Sequence, residues 1–415
     1  MNFAVLSAVS AFLTPSAPVA APIVIINARI EVSPGVVIPS GGIRVKDGKI
    51  EAVGTDVTAT SGYETIDVKG AWAFPGFIEG YTRDGLKLPE TPKPPAYPDT
   101  QKDALYSMFH GNRRGIYPTL DASKVFDVKS TDARYLSQGF TTIHTASGRG
   151  AFGGQSAVFN LSSDGLLLRG SVTETVSFNV PGGDSYPTSP MGNFAVVRQF
   201  LSDGKTAASQ PSTDPDELAL ASAFKAKEPL LVAAVTERQI DRAIIINDEF
   251  GLPTILLGGR DAAVRAADIK AKGIEVLLDL TIPDEPKRTQ STDAEQKLSD
   301  PPVGYLEDRY QRWVDSTKYA ARANAAGIPF GFYADSAKGK VLELLRQHIT
   351  LGLSREAALA AVTTNVARIL GVADKVGTIA PGKVANIAIF PGDFTVAGSK
   401  PTLVIAAGEK KEFKS

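Results

Sequence analysis

Between residues 73 and 370 the chain repeats one pattern, a short continuous apolar run followed by a longer amphipathic stretch. The apolar runs fall at 73–78, 141–145, 173–180, 230–235, 254–257, 274–280 and 329–333, and helical periodicity at 238–249, 261–272, 305–326 and 355–370. A strand that is apolar on every residue is buried on both faces, and the amphipathic segments supply the helices that cover it, so the pattern predicts a parallel sheet. Seven or eight such units over roughly 300 residues predict a closed (β/α)8 barrel of the TIM type. A doubly wound open sheet is the alternative, although no glycine-rich phosphate fingerprint follows any strand. β-type segments bracket the pattern at 23–32, 42–53 and 64–68 and again at 376–394 and 401–413, with hairpin signals at Lys46-Asp47-Gly48-Lys49 and at Gly408-Glu409. The expected organisation is therefore α/β, with a small β-sandwich built from both chain ends (23–70 and 372–415) around a barrel (71–371).

Two segments break the rhythm. Residues 84–137 lack periodicity and contain KLPETPKPPAYP. They leave the first strand at its C-terminal end, so they read either as a lid over the barrel mouth or as a solvated excursion. Residues 1–22 have an apolar centre followed by small residues and proline, which reads as a signal for export to a periplasm or beyond; a disordered start is the alternative. No later apolar run has the length to span a bilayer. With 43% hydrophobic and 21% charged residues a sizeable core is affordable, and a net charge of −1 with mixed signs gives no basic face for nucleic acid. The absence of cysteine removes thiolate metal sites and thiol nucleophiles. Only His110, His144 and His348 could serve a histidine-rich metal centre, so their placement is decisive.

The stretch FPGFIEGYTRDGL (74–86) runs from an apolar strand into a polar tip, the place where parallel-sheet enzymes keep their chemistry. Together with the split β-rich flanks and the C-terminal stretch GLSREAALAAVTTNVARILGVADKVGTIAPGKVANIAIF (352–390), it resembles the amidohydrolase superfamily, in particular its imidazolonepropionase-like members. GFTTIHTA (139–146) and GGQSAVFNL (153–161) fit as further barrel segments of that family. The resemblance implies hydrolysis of C–N and related bonds by one or two divalent metals, which lower the pKa of a bound water. It also implies metal ligands in a His-x-His pair, a lysine, two further histidines and an aspartate. Carried onto this chain, the His-x-His positions hold Tyr81 and Arg83, the next histidines fall on Ala233 and Gly258, and no lysine lies between Lys129 and Lys205. Only Asp335 matches. A guanidinium stays protonated and repels a divalent cation, so no metal ligands are assigned and no cofactor is expected, a single zinc-like ion being the alternative.

Arg83 is expected to donate to Asp335, placing a fixed positive charge where the family's metal sits. Asp335, His144 and Glu79 are the candidate catalytic groups; Tyr81, Arg83, Gln155 and Asp335 are the candidate ligand-binding groups. His144 reads as a proton-transfer group or as a hydrogen-bonded structural histidine, and His348 as an exposed residue near a helix end. The loops 153–156 and 181–185 are expected at the same face of the barrel, and His110 with Arg113 and Arg114 reads as an anion patch or a solvated loop. Two functions follow. One is a non-catalytic homologue that binds a small molecule or supports a catalytic homologue as a heteromer. The other is a hydrolase of carbon–nitrogen bonds with unusual active-site chemistry.

Overall fold

The computed structural model describes residues 21–90, 115–179, 187–287, 300–335, 337 and 339–413. The export-signal residues 1–20, the His110–Arg113–Arg114 patch and the loop 181–185 lie outside the described residues.

Both chain ends enter one eight-stranded sheet. Strands β1 (Ile23–Ser33), β2 (Val36–Lys46), β3 (Lys49–Gly54), β4 (Glu64–Asp67) and β5 (Trp72–Pro75) join β16 (Ile387–Phe390), β17 (Leu403–Ala406) and β18 (Glu409–Glu412). The order is β18-β17-β16-β5-β1-β2-β3, with β4 beside β1. The expected hairpin joins β2 to β3, with Asp47 at φ 51° and Gly48 at φ 72°, the left-handed pair a tight turn requires. Ile25, Ile43, Val45, Ile387 and Ile405 fill its core. The predicted run 73–78 is two strands. The chain breaks at Gly76, where any Cβ would strike the side chain of Thr141, so β5 stays in the end-built sheet and β6 (Phe77–Thr82) starts a second one.

The middle of the chain forms two further sheets. One has the order β10-β9-β7-β6, from β6, β7 (Phe140–Thr145), β9 (Ala157–Asn160) and β10 (Leu167–Arg169). The other has the order β15-β14-β13-β12-β11-β8, from β8 (Phe152–Gln155), β11 (Glu174–Ser177), β12 (Leu230–Ala234), β13 (Thr254–Gly258), β14 (Glu275–Asp279) and β15 (Phe330–Tyr333). Strands β11 to β15 are parallel throughout, as continuous apolar runs such as LLVAA and TILLG require. Their two faces feed two cores: Val232, Leu256 and Val276 pack beneath helices, while Leu231, Ile255, Leu257 and Leu277 form an inner cluster with Tyr81.

Several expectations are corrected. The segment 152–160 is a bent antiparallel strand pair, with β8 against β11 and β9 against β7, rather than a loop at the strand ends. The helical pattern 305–326 divides into Val303–Thr317 and Tyr319–Ala325, and 355–370 into Arg355–Ala361 and Thr364–Ile369. The described part of 84–137 does not act as a simple lid. Asp121 bridges to Gln155, Leu86 bridges to Phe126, and Phe126 stacks on Phe159 at 3.7 Å, so this part lines the β8–β9 pair. Only Tyr135 of the short helix Arg134–Ser137 reaches back to the end of β6. Among the described residues no helix is long and apolar enough to cross a membrane.

Candidate functional site

The parallel strands end on a common face, and there β6 delivers Thr82 and Arg83 while β15 runs on to Asp335. Asp335 Oδ1 accepts from Thr82 Oγ1 at 2.9 Å and from the Arg83 backbone N–H at 3.1 Å. Its Oδ2 accepts from Arg83 Nε at 3.2 Å and lies 3.1 Å from Arg83 NH2. The pairing read from the sequence is thus present, and among the described residues Thr82 and Arg83 both donate to the carboxylate. Thr82 Oγ1 is itself fixed, because it accepts from Tyr135 Oη at 3.0 Å and from the Asp84 N–H at 3.1 Å. The Asp335 side chain is 13% exposed and that of Arg83 is 65% exposed, so the cation faces outward over a sheltered anion.

Beside this pair stands a second carboxylate that the sequence reading missed, with the charge of Arg260 acting on it. Asp279 closes β14, accepts from the Thr281 N–H at 2.8 Å, and is half-buried. Burial raises its pKa, the bond to Thr281 and the charge of Arg260 oppose the rise, and the charge of Asp335 adds to it. Arg260, just beyond β13, lies over the Tyr319 ring at 5.7 Å, and the Tyr319 hydroxyl donates to the Asp279 backbone carbonyl. A polar residue ending an apolar strand was the available signal, visible in EVLLD as clearly as in FYAD.

Tyr81 lies beneath the face. It is 8% exposed, meets Tyr333 edge-on at 5.8 Å, and its hydroxyl is pushed up to about 12, first by burial and then by the charge of Asp335. It is a neutral floor to the site.

Three other candidates belong to the frame. Glu79 is fully buried, and its Oε1 accepts from the Ala334 N–H at 2.7 Å and the Tyr81 N–H at 3.2 Å, binding β6 to the chain end of β15. His144 is fully buried, with Nδ1 2.7 Å from the Gly80 carbonyl and Nε2 2.8 Å from Ser156 Oγ. A carbonyl can only accept, so Nδ1 carries the proton and Nε2 accepts from the serine. Burial lowers its pKa to about 4 and keeps it neutral at pH 7. Gln155 sits at the opposite end of the strands: its Nε2 donates to Glu228 Oε2 at 3.2 Å, its Oε1 accepts from Ser171 Oγ at 3.0 Å, and it pairs with Glu174 at the start of β11. Glycines in GGQS suggested a loop, yet they permit the bend between β8 and β9; Gly154, at φ 86°, passes against the Leu120 carbonyl. His348, expected in solvent, is 1% exposed, with Nε2 3.0 Å from the Leu280 carbonyl and 3.2 Å from Tyr319 Oη. The spacing Val341, Leu345, His348 already set it on the apolar face of its helix.

The fold family implies a divalent metal, and the side chains here do not fit one. Among the described residues no three His, Cys, Asp or Glu side chains converge, the two described histidines are committed elsewhere, and both oxygens of Asp335 already accept hydrogen bonds. The Arg83 guanidinium stands against the one carboxylate that could serve as a ligand, and its fixed charge repels a divalent cation there.

A model of the amidohydrolase family matches residues 311–410. Among solved structures, an amidohydrolase from Thermotoga maritima aligns with TM-score 0.73 at 20% identity, covering 94% of this chain and 99% of that one. A prolidase complexed with N-methylphosphonate-L-proline aligns with TM-score 0.53 at 18% identity over 95% of this chain and 100% of that one. Phenylurea hydrolase B aligns with TM-score 0.54 at 14% identity over 94% and 97%. These likenesses speak to fold. Among curated proteins no match is found.

Proposed function

We propose that the chain is a member of the amidohydrolase superfamily, whose family model matches residues 311–410, and that it hydrolyses a carbon–nitrogen bond of a small molecule at the strand-end face, using Arg83, Asp279 and Asp335 in place of a bound metal. The frame is read as a closed barrel in which β6 meets β15. A Cβ on Gly80 would lie 2.5 Å from the Phe332 carbonyl oxygen, and Glu79 bonds across the same seam. Active sites of such barrels sit at the C-terminal ends of the strands.

The observation that carries the reading is the gathering of two carboxylates and two guanidinium groups at those ends. Arg83, held by Asp335 and largely exposed, is the donor that a substrate carbonyl oxygen meets and that stabilises negative charge developing on it. Asp279 is the base, because burial raises its pKa. It takes a proton from water as the water oxygen bonds to the carbonyl carbon, and returns that proton to the nitrogen as the C–N bond breaks. Amine release from a panel of dipeptides, N-acyl amino acids, ureas and cyclic amides tests this. The reading expects turnover that falls at least about 100-fold in Asp279→Asn and in Arg83→Gln; turnover indifferent to both substitutions would refute it.

A second reading is binding without turnover, alone or as the partner of a catalytic homologue. It is favoured by the engagement of both Asp335 oxygens with Thr82 and Arg83 and by the structural commitment of His144 and Glu79. Saturable binding of panel compounds with no product, lost in Arg83→Gln, would support it. The hydrolase reading leads because the solved relatives named above, the prolidase and phenylurea hydrolase B, carry hydrolase names.

A further inference from the structure

Strand β13 closes on Gly258, and Gly259 leads directly into Arg260. Both glycines take positive φ, 112° and 42°, and a Cβ on Gly259 would lie 2.6 Å from the Val276 side chain, so the chain can turn this close to β14 only without one. The turn is tied down on its other side. The Gly259 N–H donates to the Ala234 carbonyl at 2.8 Å, and the Asp261 N–H to the Val235 carbonyl at 3.2 Å. A fixed turn thus delivers Arg260 to the strand-end face, one strand away from Asp279.

The half-buried Arg260 side chain is placed there but not satisfied. Its guanidinium lies over the buried Tyr319 ring at 5.7 Å, and the hydroxyl of the same tyrosine donates to the Asp279 backbone carbonyl. One side chain therefore aligns both the cation and the strand end that carries the proposed base. Among the described residues no carboxylate forms an ion pair with Arg260, and its Nε, closed off from solvent, has no hydrogen-bond partner. The adjacent Asp261 is engaged elsewhere, its Oδ2 accepting from the Glu237 N–H at 3.1 Å. Arg265, farther along the same connection, ion-pairs with both Asp241 and Asp268. Shielded N–H donors are nearly always paired in folded proteins. Arg260 is an exception, and it stands where the substrate is read to bind.

We propose that Arg260 is a specificity-determining residue, which receives a carboxylate group of the substrate while Arg83 meets the carbonyl of the carbon–nitrogen bond. A planar guanidinium donates two parallel N–H bonds to a carboxylate, and such charged bonds are stronger than those to a neutral oxygen. The strand order β13-β14-β15 sets Asp279 between Arg260 and Asp335, the partner of Arg83, so a molecule reaching from one guanidinium to the other passes the base. The substrate class narrows to amides that carry a free carboxylate, ahead of neutral ureas and cyclic amides. This assignment rests on the hydrolytic reading for its place, and the two fail separately. Preference for the carboxylate without any turnover refutes hydrolysis and keeps the role of Arg260. Turnover of neutral amides as fast as acidic ones keeps hydrolysis and refutes that role.

The test is a calorimetric titration of the whole protein with hydrocinnamate and benzylacetone, which share one body, lack any carbon–nitrogen bond and differ by one charge. Inorganic phosphate is the third probe. The parent is expected to bind hydrocinnamate more tightly than benzylacetone. Arg260→Gln should weaken hydrocinnamate about tenfold or more, as loss of a charged hydrogen-bonding partner requires, and leave benzylacetone unchanged, which also shows that the variant is folded. Arg260→Lys keeps the charge without the fork and should fall between. Arg83→Gln should weaken both probes alike. No saturation by hydrocinnamate, equal affinity for the two probes, a preference lost in Arg83→Gln and kept in Arg260→Gln, or phosphate binding as tightly as hydrocinnamate would each overturn the proposal.

Discussion

Two of the molecule's arginine–carboxylate pairs, at Arg355 and at Arg83, are made different objects by their surroundings. Arg355 joins the end-built sheet to the helical layer. NH2 lies 2.5 Å from Glu31 Oε2 and 2.6 Å from Asp393 Oδ2, and its guanidinium sits near the rings of Trp72, Phe74 and Phe394 at 5.2–5.9 Å. Glu31 there is fully buried. Burial works against the Arg355 charge, but bonds to Glu31 and Asp393 outweigh it, and the pKa rises. Arg83 makes a similar pair with Asp335, yet its side chain is 65% exposed. Burial converts one pair into a structural tie, whereas exposure leaves the other able to meet a ligand.

The comparison breaks most readily at its buried member. Arg355→Ala leaves Glu31 without its cation in a dry place, and such removals cost about 3–5 kcal/mol. Urea unfolding should show that loss at pH 7; a loss below about 1 kcal/mol would make the two pairs equivalent.

A buried carboxylate without a close cation sharpens the contrast. Glu228, 5% exposed, has its pKa raised to about 7 by burial, with Arg169 and Gln155 lowering it and Asp121 raising it. Its neighbour Glu174 is also raised, by burial and by the charge of Glu228. A raised carboxyl binds more protons in the folded state. Its contribution is therefore whole below about pH 4.5, declines as pH rises to about 7, and is gone above that. Glu228→Gln should consequently be more stable than the parent at pH 8, by about 2 kcal/mol after allowance for solvent screening, with the gap closing towards pH 4.5. Thermal unfolding at the two pH values checks it; a gap that grows on acidification would reverse the sign.

His144 should show the opposite slope. Its lowered pKa, about 4, means the unfolded chain binds the extra proton, so stability falls as pH drops from about 6.5 towards 4. In His144→Gln that part of the acid sensitivity should disappear, which stability measured across this window would reveal. The smallest stability effect belongs to Arg83→Ala, at most about 1 kcal/mol, because exposed pairs contribute little. A larger loss would make Arg83 part of the frame.

Much of this was legible in the chain. The Asp47-Gly48 hairpin and the apolar parallel strands follow from local rules, turn chemistry and continuous burial, whereas the approach of Arg83 to Asp335 was legible only through the family resemblance, which sets both residues at positions around one metal. Ser354 accepts from the Ala357 N–H at 3.2 Å, as its place before a helix suggested. The failures share a cause. Gln155, Glu79 and His144 are polar residues in strands, and which end or face of a sheet such a residue reaches depends on strand direction, which single-chain periodicity does not encode. β8 and β9 run antiparallel to their neighbours, which sends Gln155 to the far end of the strands. Asp279 went unnoticed because the charge of Arg260, which acts on it, comes from the chain after a different strand.

The central claim is that this chain's own charges organise the chemistry at the strand ends. The most direct test is amine release from the carbon–nitrogen panel by protein dialysed against a strong chelator, with and without added zinc, manganese or cobalt. The account predicts turnover that survives the chelator, gains nothing from the metals and is lost in Asp279→Asn. Turnover that vanishes on chelation and returns with a stoichiometric metal ion would contradict it.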